Sequence, residues 1–242
     1  MCRKVKLLTC TADAEKLICA AAKLCYASDP ATLFSAQEGE VTKFLERLRD
    51  MRHLSPFEHA SFTFLFEGIS RALTHQLVRH RIASYSQRSQ RYVSHDTFEY
   101  ILPPSLIGTT VETDEGEVDA TVYYREFMDH AADVYQRLKD ALGGSGEKAN
   151  EDARYVLPNA TETKIMVTMN ARELFHFFGE RLCNRAQWEI REIADEMLEL
   201  AREATPVIFK GIGSKCVQLG YCPEGKMTCG KIKEMKMKYE SE

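Results

Sequence analysis

One stretch of the chain, from Arg79 to Tyr92, concentrates side chains that can bind anions. Within fourteen positions it holds four arginines, one histidine, three serines and two glutamines, and it contains no acidic residue. A run of this kind is either a solvated basic loop or a cradle for phosphate-like groups, and solvation is the commoner outcome for an arbitrary basic run. The interpretation therefore depends on whether other parts of the chain supply partners for a cradle.

A second candidate for chemistry is Arg181, which interrupts an apolar stripe. The stripe consists, at helical spacing, of Leu174, Phe177, Phe178 and Trp188. A guanidinium stays charged at any biological pH, and burying it alone costs a large free energy. Arg181 must therefore have an acidic partner, reach water or face a ligand. An internal salt bridge remains the alternative to a functional role.

Two groups of residues invite a metal interpretation. The pair His53 and His59 has the spacing H-x5-H, which does not place both imidazoles on one helix face. Three late cysteines, Cys216, Cys222 and Cys229, are spaced C-x5-C and C-x6-C and lack the compact C-x2-C pair of common zinc sites. We therefore predict no metal site, and a zinc-stabilised structural domain built on these three cysteines remains an alternative.

Composition limits the partners and the compartment. The chain has 242 residues, of which 44% are hydrophobic and 28% charged, and its net charge of -4 argues against bulk attraction to nucleic acid or membranes. No apolar run approaches the roughly 20 residues of a membrane span. The first eight residues lack the apolar core of a signal peptide, so we expect a cytoplasmic protein with reduced cysteines.

Hydrophobic periodicity predicts the elements that position these side chains. Strands are expected at 4–10, 61–66 and 163–169, with an irregular strand-like segment at 92–101. Helices are expected at about 42–51, 70–81 and 119–142, and from about 171 onward to about 204. The basic stretch would then start on the last turn of a helix and continue as a loop.

Two of these helices carry more specific expectations. Asn170, with Glu173 three residues later, resembles a capping box, so the helix should begin near Ala171 and its first-turn amides could seat an anion. The helix at 119–142 is expected to bury Tyr123, Phe127, Ala131, Val134 and Leu138.

The mixture of strands and helices favours an α+β fold. The chain shows neither regular βαβ alternation nor a G-x-G-x-x-G motif, which argues against a Rossmann fold. We expect a single compact domain over 1–242, with a mixed or antiparallel sheet flanked by helices. The tail from about residue 210 is expected to be loosely ordered.

The order of these groups resembles that of one known family. Arg79-His80-Arg81, followed after seven residues by Ser89, matches the R-H-R-x7-S signature of the flavin-dependent thymidylate synthases. The resemblance covers about 52–203 in the family's order and spacing. Its other blocks are Ser55-Pro56-Phe57-Glu58-His59, Arg154 before Leu157-Pro158, Asn170-Ala171-Arg172, and Arg181 ahead of Arg185-Ala186-Gln187-Trp188-Glu189.

The resemblance implies an activity and its cofactors. Members of this family make dTMP from dUMP, taking a one-carbon unit from methylenetetrahydrofolate and a hydride from FADH2, which NADPH regenerates. It also implies a compact α+β fold and a homotetramer whose sites are assembled across subunits. The family is thought not to need a cysteine nucleophile on the uracil, and no cysteine lies near the basic stretch.

The resemblance also assigns roles to residues. Positions matching dUMP contacts are Gln76, Arg79, Gln87, Arg88, Ser89, Gln90, Arg91, Arg154 and Arg181. Positions matching FAD contacts are Ser55, Arg79, His80, Arg81, Gln87, Asn170, Ala171, Arg172 and His176. Arg181 matches the catalytic residue that polarises the uracil and favours loss of its N3 proton, and His53 lies in the corner expected near the isoalloxazine and the folate.

Two positions depart from some relatives. Gln87 stands where some carry Glu, so no general-base role is assigned to it, and His176 stands where some carry Asn. A nucleotide- or RNA-binding module that uses the basic stretch is the main alternative. It predicts steep loss of affinity with salt and no bound chromophore, whereas the enzyme interpretation predicts a yellow protein.

Overall fold

The computed structural model describes residues 4–29, 33–95 and 98–240, which divide into two units. The first unit comprises the described parts of Glu67–His75 and Ser86–Ile165, and the second those of Lys4–Phe66, Gln76–Tyr85 and Met166–Glu242. The expectation of a single domain over 1–242 stays a prediction.

Six strands form two sheets within the described residues. They are β1 (Lys4–Cys10), β2 (Ser61–Ser70), β3 (Ala83–Gln87), β4 (Thr110–Thr113), β5 (Gly116–Asp119) and β6 (Glu162–Asn170). One sheet has the order β1-β2-β6-β3, and β4 pairs with β5 in an antiparallel hairpin with Thr110 opposite Asp119. Alternation places Phe62, Phe64 and Phe66 on one face of β2, where all three are buried, as the sequence predicts.

Ten α-helices surround these sheets in the described part of the chain. They are α1 (Ala14–Leu24), α2 (Glu38–Asp50), α3 (Arg71–Leu77), α4 (Ala120–Ala141), α5 (Glu147–Ala153), α6 (Ala171–Arg181), α7 (Trp188–Ala204), α8 (Pro206–Phe209), α9 (Lys215–Leu219) and α10 (Ile232–Glu240). The predicted α+β class is therefore confirmed. No helix in the described ranges combines the length and apolar character that a membrane span requires.

Aromatic rings hold the core of the second unit. Phe209 makes edge-to-face contacts with Phe62, Phe175 and Phe178 at centroid distances of 5.2, 5.6 and 5.9 Å. Phe57, in the turn Ser55–His59, packs against Phe175 at 5.3 Å. Such pairs contribute about 0.5–1.5 kcal/mol each beyond area burial. They fix α6, which carries three of the predicted site residues near its ends.

The first unit is organised around the buried Tyr135 of α4. Its hydroxyl accepts from the backbone N–H of His95 at 3.3 Å and donates to Asn150 at 3.3 Å. The amide of Asn150 in turn donates to the carbonyl oxygen of Arg91 at 3.0 Å. This chain of hydrogen bonds holds the end of the basic stretch against α4 and α5.

The buried face of α4 differs from the expected one. Ala131 is buried as predicted, but Tyr123, Phe127 and Leu138 are exposed, and Val134 is half-buried. The face that packs inside the unit instead consists of Ala120, Met128, Ala131, Tyr135 and Lys139. Lys139 can be buried there because its ammonium donates to Ser94 Oγ at 3.0 Å.

Two other expectations about local structure are wrong. The helix predicted over 70–81 ends at Leu77, because the Tyr85 hydroxyl lies 2.8 Å from the carbonyl oxygens of both Leu77 and His80. The strand-like segment 92–101 forms no strand in its described residues, and Tyr100 makes an isolated bridge to Thr161. Asp96 and Thr97 of that segment lie outside the described residues.

The tail also differs from the loosely ordered segment expected from about residue 210. It carries α9 and α10, and Tyr239 is buried. Arg202 of α7 donates through Nη2 to the carbonyl oxygens of Ile212 at 2.9 Å and Tyr239 at 2.8 Å. The Tyr239 hydroxyl donates to Asp195 at 2.5 Å. These bonds attach the tail to α7.

Candidate active site

The start of α6 builds one wall of the site in the second unit. Asn170 caps the helix, because its side-chain oxygen accepts from the backbone N–H of Glu173 at 2.9 Å. The Ala171 N–H donates to the carbonyl oxygen of Ala60, the residue before β2, at 2.8 Å. Ala171 itself is fully buried, so its side chain faces the core.

Glu173, His80 and Arg181 form a polar chain beside this helix, in which Arg181 and His80 share a hydrogen bond, whereas His80 Nδ1 approaches Glu173 without one. The Arg181 Nε donates to His80 Nε2 at 3.0 Å, and His80 Nδ1 lies 3.4 Å from Glu173 Oε1. Because Nε2 accepts, neutral His80 carries its proton on Nδ1, facing the glutamate. Both His80 and Glu173 are buried. The hydrogen bond from Arg181 Nε to His80 therefore orients the guanidinium group.

Electrostatics keep His80 neutral in this chain. Burial, followed by the neighbouring charges of Arg181 and His176, lowers the pKa of His80 from 6.5 to about 4. Burial also raises the pKa of Glu173. The contact between His80 and Glu173 is therefore not an ion pair at neutral pH, although the atoms lie within ion-pair distance.

Arg181 has no ion pair with an acid within 4.0 Å among the residues described. Burial lowers its pKa, with Glu180 opposing that shift. The sequence left three options for Arg181: an acidic partner, water or a ligand. The first, an internal salt bridge, is thus absent from the described residues. The Arg181 side chain is only partly exposed. Its hydrogen bond to a neutral imidazole leaves the terminal nitrogens for water or a ligand.

A cavity of about 740 Å³ in the second unit gathers most of the residues predicted to contact FAD. Its lining includes Arg79, His80, Arg81, Asn170, Arg172 and His176. Residues not foreseen from the sequence also line it, among them Arg52, Lys215 and Gln218. Ser55 and His53 line a second cavity, of about 840 Å³, which shares Arg52, Leu54 and Arg172 with the first.

The cavity of about 740 Å³ is predominantly basic. Four arginines and a lysine line it against two glutamates, and one of these, Glu58, pairs with Arg172. Arg52 occupies a left-handed conformation with φ 58° and donates to the carbonyl oxygen of Gln218 at 3.1 Å. A positive φ is uncommon for a residue other than glycine. The sequence alone therefore gave no reason to predict this conformation at Arg52.

The remaining predicted nucleotide contacts lie in the first unit. Gln87 donates to the hydroxyls of Thr74 at 3.2 Å and Thr163 at 3.3 Å. Arg88 Nη2 lies 3.6 Å from the buried Glu162. Gln90 is buried, whereas Gln76 belongs to the second unit and is half-buried. The structure thus holds Gln87 and Arg88 by side-chain contacts rather than leaving them in a solvated loop.

Two features of the first unit bear on phosphate binding. Arg91 forms ion pairs with Glu147 and with Glu151, the latter at 2.7 Å. Arg71, which the sequence did not single out, is half-buried, and burial followed by the charge of Arg154 lowers its pKa. A phosphate that contacts both guanidinium groups would offset their mutual repulsion.

Comparison with known proteins identifies the family. A family profile described as "Thymidylate synthase complementing protein" matches residues 6–207. A relative from Clostridium tetani named "Flavin-dependent thymidylate synthase" is 48% identical over 98% of this chain and 96% of its own length. One of the same name from Geobacter sulfurreducens is 51% identical over 96% of each chain. The chain belongs to the flavin-dependent thymidylate synthase family.

A solved structure agrees with this membership. The UMP/dUMP methylase PolB from Streptomyces cacaoi, bound with 5-Br dUMP, is similar with a TM-score of 0.71 and 26% sequence identity. The alignment covers 86% of this chain and 93% of PolB. The R-H-R-x7-S resemblance stated from the sequence is confirmed as a family assignment. The individual residue roles that it implied stay predictions.

Proposed function

We propose that this protein synthesises dTMP from dUMP by reductive methylation. Methylenetetrahydrofolate is the carbon donor, FADH2 is the hydride donor, and NADPH re-reduces the flavin. The observation that supports this most directly is the cavity of about 740 Å³, where Arg79, His80 and Arg81 of the signature meet Asn170, Arg172 and His176. These residues are separated by about ninety positions in the chain.

The residues of this cavity fit an FAD. Its volume lies within the roughly 300–1,000 Å³ of small-molecule sites. A pyrophosphate brings negative charge that Arg79, Arg81 and Arg172 can balance by forked hydrogen bonds. His176 is exposed at the cavity and can donate to a ring or ribose oxygen. A bound FADH2 would supply the hydride for the reduction.

The first unit supplies the groups proposed for dUMP. Arg71 and Arg154 form the cationic pair that suits the 5′-phosphate, and Arg88 adds a third guanidinium on the segment Gln87–Arg91. Ser89 Oγ accepts from the Arg91 N–H at 3.1 Å and so shapes the turn of that segment. The resemblance implies that the family's sites are assembled across subunits. In such a site, these groups and the Arg181 that act on the same nucleotide can come from different copies of the chain.

Arg181 is the proposed catalytic residue. A guanidinium held in a partly dry site can stabilise negative charge that develops on the pyrimidine and favours loss of its N3 proton. Its Nε is already occupied by His80, so the terminal nitrogens are the ones that reach the nucleotide. Glu173, whose carboxyl oxygen lies 3.4 Å from His80 Nδ1, is proposed as a positioning residue for that imidazole.

We further propose a cytoplasmic homotetramer with neither nucleic acid nor a membrane as partner. The net charge of -4 supports the absence of such partners. The exposed apolar face of α4, which carries Tyr123, Phe127 and Leu138, supports self-association.

An absorbance spectrum followed by an NADPH-oxidation assay tests this function. We expect a flavin spectrum after purification or after added FAD, and NADPH oxidation with dTMP formation that depends on both dUMP and methylenetetrahydrofolate. A protein that takes up no flavin, or that binds RNA with a steep salt dependence and forms no dTMP, would contradict the proposal.

A further inference from the structure

A second large cavity of the same unit adjoins the one proposed for flavin. Its volume is about 840 Å³, and it shares Arg52, Leu54 and Arg172 with the cavity of about 740 Å³. A ligand that extends from the flavin past these shared residues therefore enters it. Apart from His53 and Ser55, the residues that line only this second cavity have no role in the family assignments. Most of them belong to α1 and α2 or follow directly after those helices.

Part of the lining of this second cavity is apolar and open to solvent. It consists of Tyr26, Phe44, Leu48 and Met51. Tyr26 is 69% exposed and Met51 is 49% exposed, and Phe44 is half-buried. Aromatic and methionine side chains give a surface on which a planar ring can pack. The volume also lies within the roughly 300–1,000 Å³ of small-molecule sites.

The same cavity carries positive charge that no acid in its lining balances. Arg47 and Arg52 both line it and are exposed, and neither forms an ion pair with an acid among the residues described. Arg172 differs, because it pairs with Glu58. No carboxylate belongs to the lining in the described part of the chain. A planar surface beside unneutralised guanidinium groups suits a ligand that combines a ring with an anion.

We propose that this second cavity binds the anionic end of a co-substrate whose reactive ring lies at the flavin. This assignment rests on the proposed function, in which NADPH and methylenetetrahydrofolate must both reach the flavin. Each is a long molecule with its reactive ring at one end. The other end carries a second ring and negative charge: adenosine with a 2′-phosphate in NADPH, and a benzoyl group with a glutamate in the folate.

Arg47 is the residue proposed to bind the anion. Its guanidinium can donate two parallel hydrogen bonds to a phosphate or to a carboxylate, so both co-substrates present a suitable group. Tyr26 and Phe44 are proposed to contact the ring beside that group. The flavin is reduced before it is used, so one cavity can serve the two co-substrates in turn.

Calorimetric titration of the full chain, saturated with FAD, tests the cavity with two fragments. They are 2′,5′-ADP, which has the anionic end of NADPH, and p-aminobenzoyl-L-glutamate, which has that of the folate. We expect at least one to bind, and we expect Arg47→Gln to weaken that binding by about 10-fold or more, as for one lost charge-assisted hydrogen bond. Lys43→Gln removes a positive charge one turn earlier on α2, outside the cavity lining, and should bind like the wild type.

Steady-state kinetics distinguishes the two sources of the anion. Arg47→Gln should raise the KM of the co-substrate whose fragment binds, by a similar factor, and should leave kcat and the KM of dUMP close to the wild-type values. Binding of 2′,5′-ADP alone assigns the cavity to the reductant, and binding of p-aminobenzoyl-L-glutamate alone assigns it to the carbon donor. If both bind, the cavity serves both. An equal rise in the KM of dUMP would indicate a general effect of charge and would overturn the proposal.

Protection of Cys25 provides a measurement on the wild type. Cys25 is exposed and lines this cavity, whereas the exposed Cys229 does not. A saturating fragment should slow maleimide modification of Cys25 and leave that of Cys229 unchanged, as measured by peptide mass spectrometry. Absence of binding by both fragments, an unprotected Cys25, or equal fragment affinity in wild type and Arg47→Gln would overturn the proposal. Fragment binding does not depend on dTMP formation, so the proposed function can fail separately.

Discussion

At the residue scale, the chain of Glu173, His80 and Arg181 explains how an arginine can lie among apolar side chains. Arg181 is held by a neutral imidazole rather than neutralised by an acid. A carboxylate in contact with Arg181 would neutralise the positive charge that is proposed to act on the nucleotide. The glutamate lies one residue further away, with its Oε1 3.4 Å from His80 Nδ1.

Arg181→Ala is expected to lose most of its turnover while keeping bound flavin. Removing a preorganised donor to developing charge costs about 10²- to 10³-fold in kcat, and Arg181 is not among the residues that line the cavity proposed to bind flavin. Steady-state dTMP formation and the flavin-to-protein absorbance ratio measure the two effects. Arg137→Ala, at an exposed pair with Asp133, is the control. Near-normal kcat in Arg181→Ala would refute the assigned role.

His80 should make stability depend on pH. Its folded pKa of about 4 is below the unfolded value of 6.5, so the unfolded chain takes up a proton first as the pH falls. Stability from this group is full above pH 6.5 and is lost progressively toward pH 4, by about 2 kcal/mol between pH 7 and pH 5. Urea unfolding at both pH values should show that His80→Gln loses less stability than the wild type over this interval.

The exposed His130 on α4 provides the matched control for this measurement. His130→Gln should follow the wild-type pH dependence. Parallel pH dependences for His80→Gln and wild type would show that the imidazole is not held neutral in the folded protein.

At the element scale, the end of α3 determines where the signature arginines lie. Periodicity predicted a helix over 70–81, yet the helix stops at Leu77. The Tyr85 hydroxyl, whose pKa burial raises, stays protonated beside the carbonyl oxygens of Leu77 and His80. The loop after α3 can therefore turn His80 inward while Arg79 and Arg81 remain exposed.

Tyr85→Phe should destabilise the protein and weaken flavin retention. Removing the hydroxyl leaves buried carbonyl oxygens without their partner, which costs about 1–3 kcal/mol. The urea midpoint and the fraction of flavin retained on gel filtration measure the two consequences. Tyr221→Phe, at an exposed position after α9, should change neither. An unchanged midpoint for Tyr85→Phe would show that this hydroxyl does not hold the loop.

At the scale of the whole molecule, the exposed face of α4 connects the fold to assembly. Tyr123, Phe127 and Leu138 are 49%, 56% and 40% exposed in the single chain. Apolar spacing predicted that this face is buried, and the chain instead buries a neighbouring face that shares only Ala131 with it. Contiguous exposed apolar side chains on a long helix are typical of an interface, and the proposed homotetramer supplies a second copy as the occupant.

Phe127→Glu is expected to shift the protein to a smaller assembly, because a carboxylate buried at an apolar interface is costly. Size-exclusion chromatography with light scattering gives the mass. Glu126→Gln on the same helix should keep the wild-type mass. If Phe127→Glu retains that mass, this face of α4 is not an interface between copies.

Local patterns in the sequence were sufficient for the family, the α+β class, the Asn170 cap and the aromatic face of β2. Those features depend on signatures, short-range hydrogen bonds and a period of two. They were insufficient for the end of α3 and the buried face of α4. Tyr85 of β3 determines the end of α3 through its hydrogen bonds to the carbonyl oxygens of Leu77 and His80. Asn150 of α5 helps to determine the buried face of α4 through its hydrogen bond with Tyr135.

The sequence by itself determined the family and singled out the residues predicted to carry the chemistry: the signature arginines, Asn170, Arg172 and Arg181. The tertiary structure alone decided how they are held. It places neutral His80 between Glu173 and Arg181, adds Arg52 and Lys215 to the cavity proposed to bind flavin, and brings Cys183 to the cavity that the three late cysteines also line. Burial shifts pKa values, and proximity brings side chains from distant parts of the chain into one site. Both arise only when the chain folds, so the sequence alone does not reveal them.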